Sequence, residues 1–378
     1  MRTQSSPGFM PERLKQARAA MELSITALSE QIGVSRQSID QFERGQTTPS
    51  ELTLSQFVDK LKHPREFFFK PLPEFDISTI FYRSNSKAKQ PMKRRVEVRM
   101  LWLCELTEFL DKYVNLPKFI FPSFDWIPDD PRAINQQMIE KAADELRAFW
   151  GIADHHPIPD LIRLLEFNGF IIATDDLCDE GIEALSAWGY LDRGYILIHK
   201  YVGSAVRMRF GIAHELGHLI LHRKIIKSQE FAKDFIDILE NQANAFSGAF
   251  LAPRAAFLRD AGAVNLDRLR IIKTKWLISI GAMIKRAENI GLLSKESVKS
   301  LFINYGRRGW RGFEPLDDTI AFEEPKVIPN AINLLITQRF FSSAGLETSS
   351  GVSFHFTSSL MNSRLDTSGL SSNYQSLN

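Results

Sequence analysis

The chain has 378 residues and a formal net charge of +2, with 44% hydrophobic and 24% charged residues. That length and ordinary composition suit two or three globular domains, each able to bury its own core. They exclude a bulk polyelectrolyte partner, and no apolar run is long enough to span a bilayer. The start Met1-Arg2-Thr3-Gln4-Ser5-Ser6-Pro7 is polar and carries no secretory pattern. The two cysteines, Cys104 and Cys178, are isolated. They form neither a disulfide framework nor a CxxC site, which suits a reducing cytoplasm, and both read as packing residues.

Glu12 to Met21 is a helix pattern with Leu14, Ala17 and Met21 inward. Ser24 or Thr26 caps a short helix through Ile32, and Gly33-Val34 makes the turn, glycine being free to take a left-handed conformation. Ser35 caps a further helix to about Phe42, with Ile39 and Phe42 facing the core, and Leu52 to Leu61 supplies another. This is a helix-turn-helix pattern. The string Val34 to Gly45 resembles phage-repressor-type (Xre/Cro) domains. The resemblance implies that the start of the second helix of the motif enters the major groove of double-stranded operator DNA. Arg36, Gln37 and Gln41 would then meet base edges, and Ser35, Arg44, Gln46 and Thr47 would meet phosphates. Five basic residues (Arg13, Lys15, Arg18, Arg36, Arg44) are balanced by five acids (Glu12, Glu22, Glu30, Asp40, Glu43), so charge adds little to that case, and a module used only for protein contact is the alternative.

Pro71 to Phe75 reads as a hinge. The basic run that follows (Arg83, Lys87, Lys89, Lys93, Arg94, Arg95, Arg99, opposed by Glu97) is a solvated loop and helix start or a supplementary phosphate contact. A helix runs from Val96 to Val114, with Met100, Leu103, Leu106, Leu110 and Val114 on one side. Leu116 to Pro131 is rich in proline and aromatics and connects onward. Helices are expected at Ile139–Trp150 and Ile158–Asn168, and short strands at Phe170–Ala173, Ala184–Tyr190 and Tyr195–His199. A sheet beside an active-site helix leaves an edge strand that can hold an extended peptide.

His214-Glu215-Leu216-Gly217-His218 carries the most chemistry. Histidines four apart lie one turn apart on one face of a helix and can bind one zinc ion, with Glu215 placed as general base. The plain alternative is a core helix with two satisfied histidines. A catalytic zinc needs a third protein ligand and an open position. His222 lies too far along the same helix to share the ion with His214 easily. The stretch Gln229 to Pro253 reads as the helix that supplies the third ligand, with a stripe of Phe231, Phe235, Ile238, Leu239, Phe246 and Phe250. Among its acids, Glu230, Asp234, Asp237 and Glu240, the last is the best candidate. The small Ala243, Asn244 and Ala245 follow it and let two helices approach, and Asn244 can bond a ligating histidine from outside the metal shell.

Arg209 to His222, together with Glu240 to Phe246 and Phe250 to Pro253, resembles the signature of the ImmA/IrrE metallopeptidases. The likeness extends from about Ala133 to Tyr305, Ser247-Gly248 standing where that family more often has alanines. It implies zinc held by His214, His218 and Glu240, with Glu215 as catalytic acid/base. It also implies a protein substrate such as a repressor encoded nearby. Tyr190, Tyr195, His199 and His222 are candidates for stabilising the oxyanion. Leu266–Trp276 and Ile280–Ile290 form a helical pair, packed beneath the zinc site or serving as a second helix-turn-helix. After about Gln338 serine dominates and no period persists, so weak order is expected and His355 reads as incidental.

The expected fold class is α+β, mostly helical: an all-α helix-turn-helix domain (1–72), a basic linker and connecting helix (73–132), a zincin-like metallopeptidase domain with a small sheet (133–305), and a serine-rich C-terminal region (306–378). The expected function is a cytoplasmic DNA-binding regulator with a zinc endopeptidase domain. The alternatives are a regulator whose zinc domain is a sensor or scaffold, and an antitoxin-like protein that acts by binding a partner. The oligomeric state is left open, a homodimer included.

Overall fold

The computed structural model describes residues 8–77, 80–84, 89–177, 182–200, 203–225 and 233–361, with backbone alone for 82–84. Met1 to Pro7, Lys87, Cys178, Gln229, Glu230, Phe231 and the serines from Ser363 onward lie outside the described residues.

The head contains α1 (Pro11–Ala20), α2 (Ile25–Ile32), α3 (Arg36–Glu43) and α4 (Glu51–Leu61). Ser24, Ser35 and Ser50 each cap a helix by accepting a backbone N–H from the third residue on, and Gly33 ends α2 at φ +69°. Leu14, Leu28, Ile39, Leu54 and Phe57 are fully buried between these helices. Arg18 holds α1 to α3 by a two-pronged bond to Glu43, at 2.5 and 2.8 Å.

The strand β1 (Phe81–Ser84) follows, then α5 (Gln90–Asp111), α6 (Gln136–Phe149), α7 (Leu161–Phe167), β2 (Ile171–Asp175), β3 (Ile182–Gly189) and β4 (Arg193–His199). The sheet has the order β1-β3-β4-β2, with β2 parallel to β4 and the other pairs antiparallel. The strands β2, β3 and β4 carry apolar residues on both faces because both faces are covered. Ile172, Trp188, Ile196 and Ile198 join a core with α8 (Ala205–Leu221) and α9 (Lys233–Leu251). The alternate residues Ile171, Ala173, Leu185, Ala187, Tyr195 and Leu197 join the opposite core. Then come α10 (Arg254–Ala261), α11 (Leu266–Trp276), α12 (Ile280–Asn289) and α13 (Lys295–Arg307). Leu266, Leu269, Trp276, Met283 and Ile284 pack into the first core, so the pair α11 and α12 supports α8 and α9.

The connecting segment is structural on both sides. Met100, Leu103, Leu106 and Leu110 of α5 lie in the second core, which continues without interruption into the head through Leu14, Ala17, Phe67 and Phe68. Arg13 of α1, wholly buried, bonds Glu105 of α5 at 2.7 and 3.1 Å. Lys70 reaches the same carboxylate at 2.7 Å. Each partner compensates the other's desolvation, so losing one would leave a buried charge exposed to the core. His63 sits here between Phe67 and Trp102. Burial, with the charges of Arg13 and Arg99, lowers its pKa from 6.5 to about 3, so the ring is neutral. The basic run is likewise partly committed inward: Arg99 pairs with buried Asp175, and Arg95 bonds Glu22 and the carbonyl of Asp176.

Between Gln338 and Met361 the expected weak order is not what the structure shows; the rest of the serine-rich stretch lies outside the described residues. Beyond α14 (Val327–Thr337), two short helices follow, α15 (Ser343–Ser350) and α16 (Phe354–Met361). Leu346, Val352, Phe356 and Leu360 are buried in the second core against α5 and the sheet. Glu166 accepts the backbone N–H groups of Lys326 and Val327 where α14 begins, and Lys70 donates to the carbonyl of Ser350. Among the described serines, Ser342 caps α15 and Ser353 the start of α16. Cys104 is buried beside Gly189, where burial pushes its thiol pKa up, so it is a packing residue.

Candidate metal centre

Helix α8 lies buried along its length under β3, with Trp188 donating to the carbonyl of Leu219 at 3.2 Å. Arg209 at its start is 1% exposed, donates to the carbonyl of Ile158 at 2.5 Å and pairs with Glu323, which fixes the helix against the segment before α7. Helix α9 packs alongside. Gly217 makes the close approach possible, since a Cβ there would lie 3.2 Å from the Cα of Ala243 and the Cβ of Phe246. The small residues seen in the sequence on α9 therefore have a counterpart on α8.

This contact brings His214, His218 and Glu240 together. The two Nε2 atoms are 3.0 Å apart, and each lies 3.3 Å from one oxygen of Glu240. Ligand atoms at zinc-bond lengths of about 2.0–2.2 Å in tetrahedral arrangement are separated by about 3.3–3.5 Å, so the triangle is close to one face of such a site. Asp234 and Asp237 are exposed and do not join this group.

The hydrogen bonds behind the triangle set which nitrogen carries a proton. Gln242 uses its amide nitrogen to donate to the carbonyls of Pro131 and Ile134, at 2.7 and 3.0 Å. Its Oε1 therefore faces His222 Nε2, at 3.0 Å, and accepts from it. That leaves the His222 Nδ1 lone pair to accept from His218 Nδ1, at 2.9 Å. Asn244 Oδ1 accepts from His214 Nδ1 at 3.0 Å. Both neutral imidazoles so turn an Nε2 lone pair toward Glu240. Two lone pairs and a carboxylate converge here on a place that could hold a metal ion, and the donor set, N₂O with neutral imidazole, is one that zinc takes. Burial and the neighbouring His218 push His222 well below the ordinary histidine range, which keeps it neutral in this chain.

Glu215 is buried on the same turn. Ser186 of β3 donates its hydroxyl hydrogen to Glu215 Oε2 at 2.6 Å. A cleft of about 870 Å³ opens beside the cluster, bordered by Glu183, Arg207, Phe210, Gln242 and Asn244. The oxyanion candidates fare differently. Tyr195 lies wholly buried in the core on the opposite face of the sheet, and Tyr190 packs on that side against Phe75 near Asp111. His199 accepts from the Leu177 amide, and His222 is committed to Gln242 and His218. The structure brings none of the four to the metal cluster as an oxyanion donor. Gln242, Ser186 and Phe81 were missed from the sequence; Gln242 had one signal, its place two residues past Glu240 on the same helix.

In the head, Ser35, Arg36, Gln37, Arg44, Gln46 and Thr47 are exposed and Gln41 is partly so, while Arg44 pairs with Asp40 at 3.1 Å. Arg13 and Arg18 face inward and take no part in this surface.

Comparison with known families agrees with this division. A helix-turn-helix model matches residues 14–67, and a peptidase-family model described as an IrrE N-terminal-like domain matches residues 173–288. The chain fuses these two domains. No curated protein matches it. The IrrE N-terminal-like match contains His214, Glu215, His218 and Glu240, and the helix-turn-helix match contains α2, α3 and the exposed face of α3. Among the described residues no helix is long and apolar enough to cross a membrane.

Proposed function

We propose that the chain is a cytoplasmic transcription regulator whose helix-turn-helix head reads an operator and whose IrrE-like domain is a zinc endopeptidase acting on a partner protein, such as a repressor encoded nearby. The working division into units keeps 1–72 as the head and 133–305 as the peptidase unit. The observation that carries the catalytic half is the convergence of His214 Nε2, His218 Nε2 and the Glu240 carboxylate at 3.0–3.3 Å, with Glu215 on the same helix turn. His214, His218 and Glu240 would hold the ion, with Asn244, His222 and Gln242 orienting the imidazoles. Zinc, when bound, would supply Lewis acidity and a more acidic water. Glu215 takes the proton of the attacking water and hands it to the leaving amine. Ser186 keeps its carboxylate in place for both transfers. A purely structural ion would have no use for a base at Glu215, which favours catalysis over a scaffold.

The test compares wild type with Glu215→Gln. Metal analysis should give near one zinc per chain in both, and His214→Ala or Glu240→Ala should abolish it while Asp234→Ala and Asp237→Ala do not. In cells, wild type should deplete the partner under an inducing signal and Glu215→Gln should not, general-base removal costing on the order of 10²–10⁴ in rate. Equal regulation by both proteins with the partner uncleaved would make the domain a sensor or scaffold.

A further inference from the structure

The edge of the sheet nearest the metal centre is already taken. Without β1 the outer strand would be β3, the strand that carries Ser186. Instead Phe81 pairs with Ser186, Tyr82 with Leu185 and Arg83 with Ala184 in antiparallel register, before the ladder shifts at Ser84. The Phe81 ring stacks on His218 at 4.8 Å between centroids and 2° between planes, and lies 5.8 Å from His222. It is 7% exposed in a small apolar cluster with Ile225, Phe235 and Leu239, separate from both main cores.

Those features are how a peptide is recognised by strand addition. The main chain supplies affinity through the ladder and one side-chain pocket supplies selectivity. A strand of four residues paired on one side is marginal alone. Its anchor is therefore Phe81, whose ring packs in the small cluster with Ile225, Phe235 and Leu239 and in neither main core. We infer that Phe81–Ser84 is a substrate mimic bound in cis: it fills the slot in which an extended segment of the protein substrate lies, and the substrate must present a large apolar side chain in the place of Phe81. The segment is tethered on both sides, to the head and to α5, so its effective concentration is on the order of millimolar and a free peptide competes poorly. Access then depends on the chain between the two domains, which gives the head a physical means of controlling the peptidase. The inference rests on the peptidase reading for the word substrate, and on the ladder and the Phe81 pocket for the slot.

The probe is a fluorescent synthetic peptide with the sequence of residues 77–87, measured by anisotropy against full-length protein in a Glu215→Gln background, where nothing is cut. Phe81→Ala should bind it at least tenfold more tightly than the parent protein, Phe81→Leu should fall between, and a peptide with alanine at the Phe81 position should bind neither. Hydrogen exchange gives a second measurement. In Phe81→Ala, exchange should rise in residues 182–188 alone and fall again with peptide, whereas a folding defect would raise it throughout. Equal binding to parent and Phe81→Ala, or binding to neither, would overturn the inference. Peptide exchange as expected from a chain that never cleaves its partner would instead support the slot and remove the catalytic reading.

Discussion

Ser186 Oγ lies 2.6 Å from Glu215 Oε2, so a strand residue with no acid–base chemistry of its own anchors the proposed general base. The hydroxyl also lies 3.3 Å from the Glu215 carbonyl, which pins the helix turn as well as the side chain. Ser186→Ala should leave zinc content and melting temperature nearly unchanged and lower the cleavage rate about 10–100-fold, the usual range for an outer partner of a metal site. Ser186→Thr should recover most of the rate. Full activity in Ser186→Ala would show that Glu215 is oriented by other contacts.

Gly217→Ala sets two effects against each other. In an isolated helix alanine is favoured over glycine by about 0.8–1 kcal/mol. Here the added Cβ would meet the Ala243 backbone and Phe246 at 3.2 Å, and overpacking of this kind costs about 1–3 kcal/mol. Relief comes by moving α9 away from α8, which draws Glu240 from the two histidines. Zinc affinity should therefore fall at least tenfold while helical content stays constant. Unchanged affinity in a chelator titration would mean that the helices accommodate the methyl without separating.

Much of this site was legible in the sequence because its signals are local. HExxH needs only helical spacing, and Glu240 stood out by the small residues after it. The strands β2, β3 and β4 were recognisable by length and apolar content. What was not legible depends on distant partners. Arg13 and Glu105 are 92 residues apart, and nothing in the periodicity of either helix announces that they meet. β1 is too short, and too near a basic run, to read as a strand. In the C-terminal region the serines mask a sparse apolar set, Leu346, Val352, Phe356 and Leu360, which has meaning only against the uncovered face of a sheet built far upstream.

His63 predicts a pH dependence for the junction between the two domains. Its folded pKa of about 3 lies below the ordinary 6.5, so between those values the unfolded chain binds the extra proton. The stability that depends on a neutral His63 is fully present above pH 6.5 and is lost as pH falls toward 3, by up to about 1.4 kcal/mol per pH unit. Glu166 works in the opposite sense, its folded pKa of about 7 lying above the ordinary 4.5. Comparing wild type with His63→Phe isolates the histidine, since Glu166 is common to both. Melting temperatures should be similar at pH 7, and wild type should lose more than the variant by pH 4.5. Parallel profiles would refute the assignment.

Arg36 and Gln37 begin α3 and are exposed, while Ile39 and Phe42 on the same helix are buried; the amphipathic division leaves these two side chains to solvent or to a ligand. Because the head shares a core with the sheet, the face that carries Arg36 and Gln37 has a fixed direction relative to the sheet. Arg36→Ala and Gln37→Ala should each weaken binding to the operator by about 1–3 kcal/mol, the cost of losing a two-pronged base contact. Non-specific DNA binding, which depends on phosphate contacts, should change little and keep its salt slope. Mobility shifts at two salt concentrations, on operator and scrambled duplexes, separate the two effects. An equal loss on both duplexes would put these side chains on phosphate, and no salt-sensitive binding by the wild type would make the head a protein-contact module.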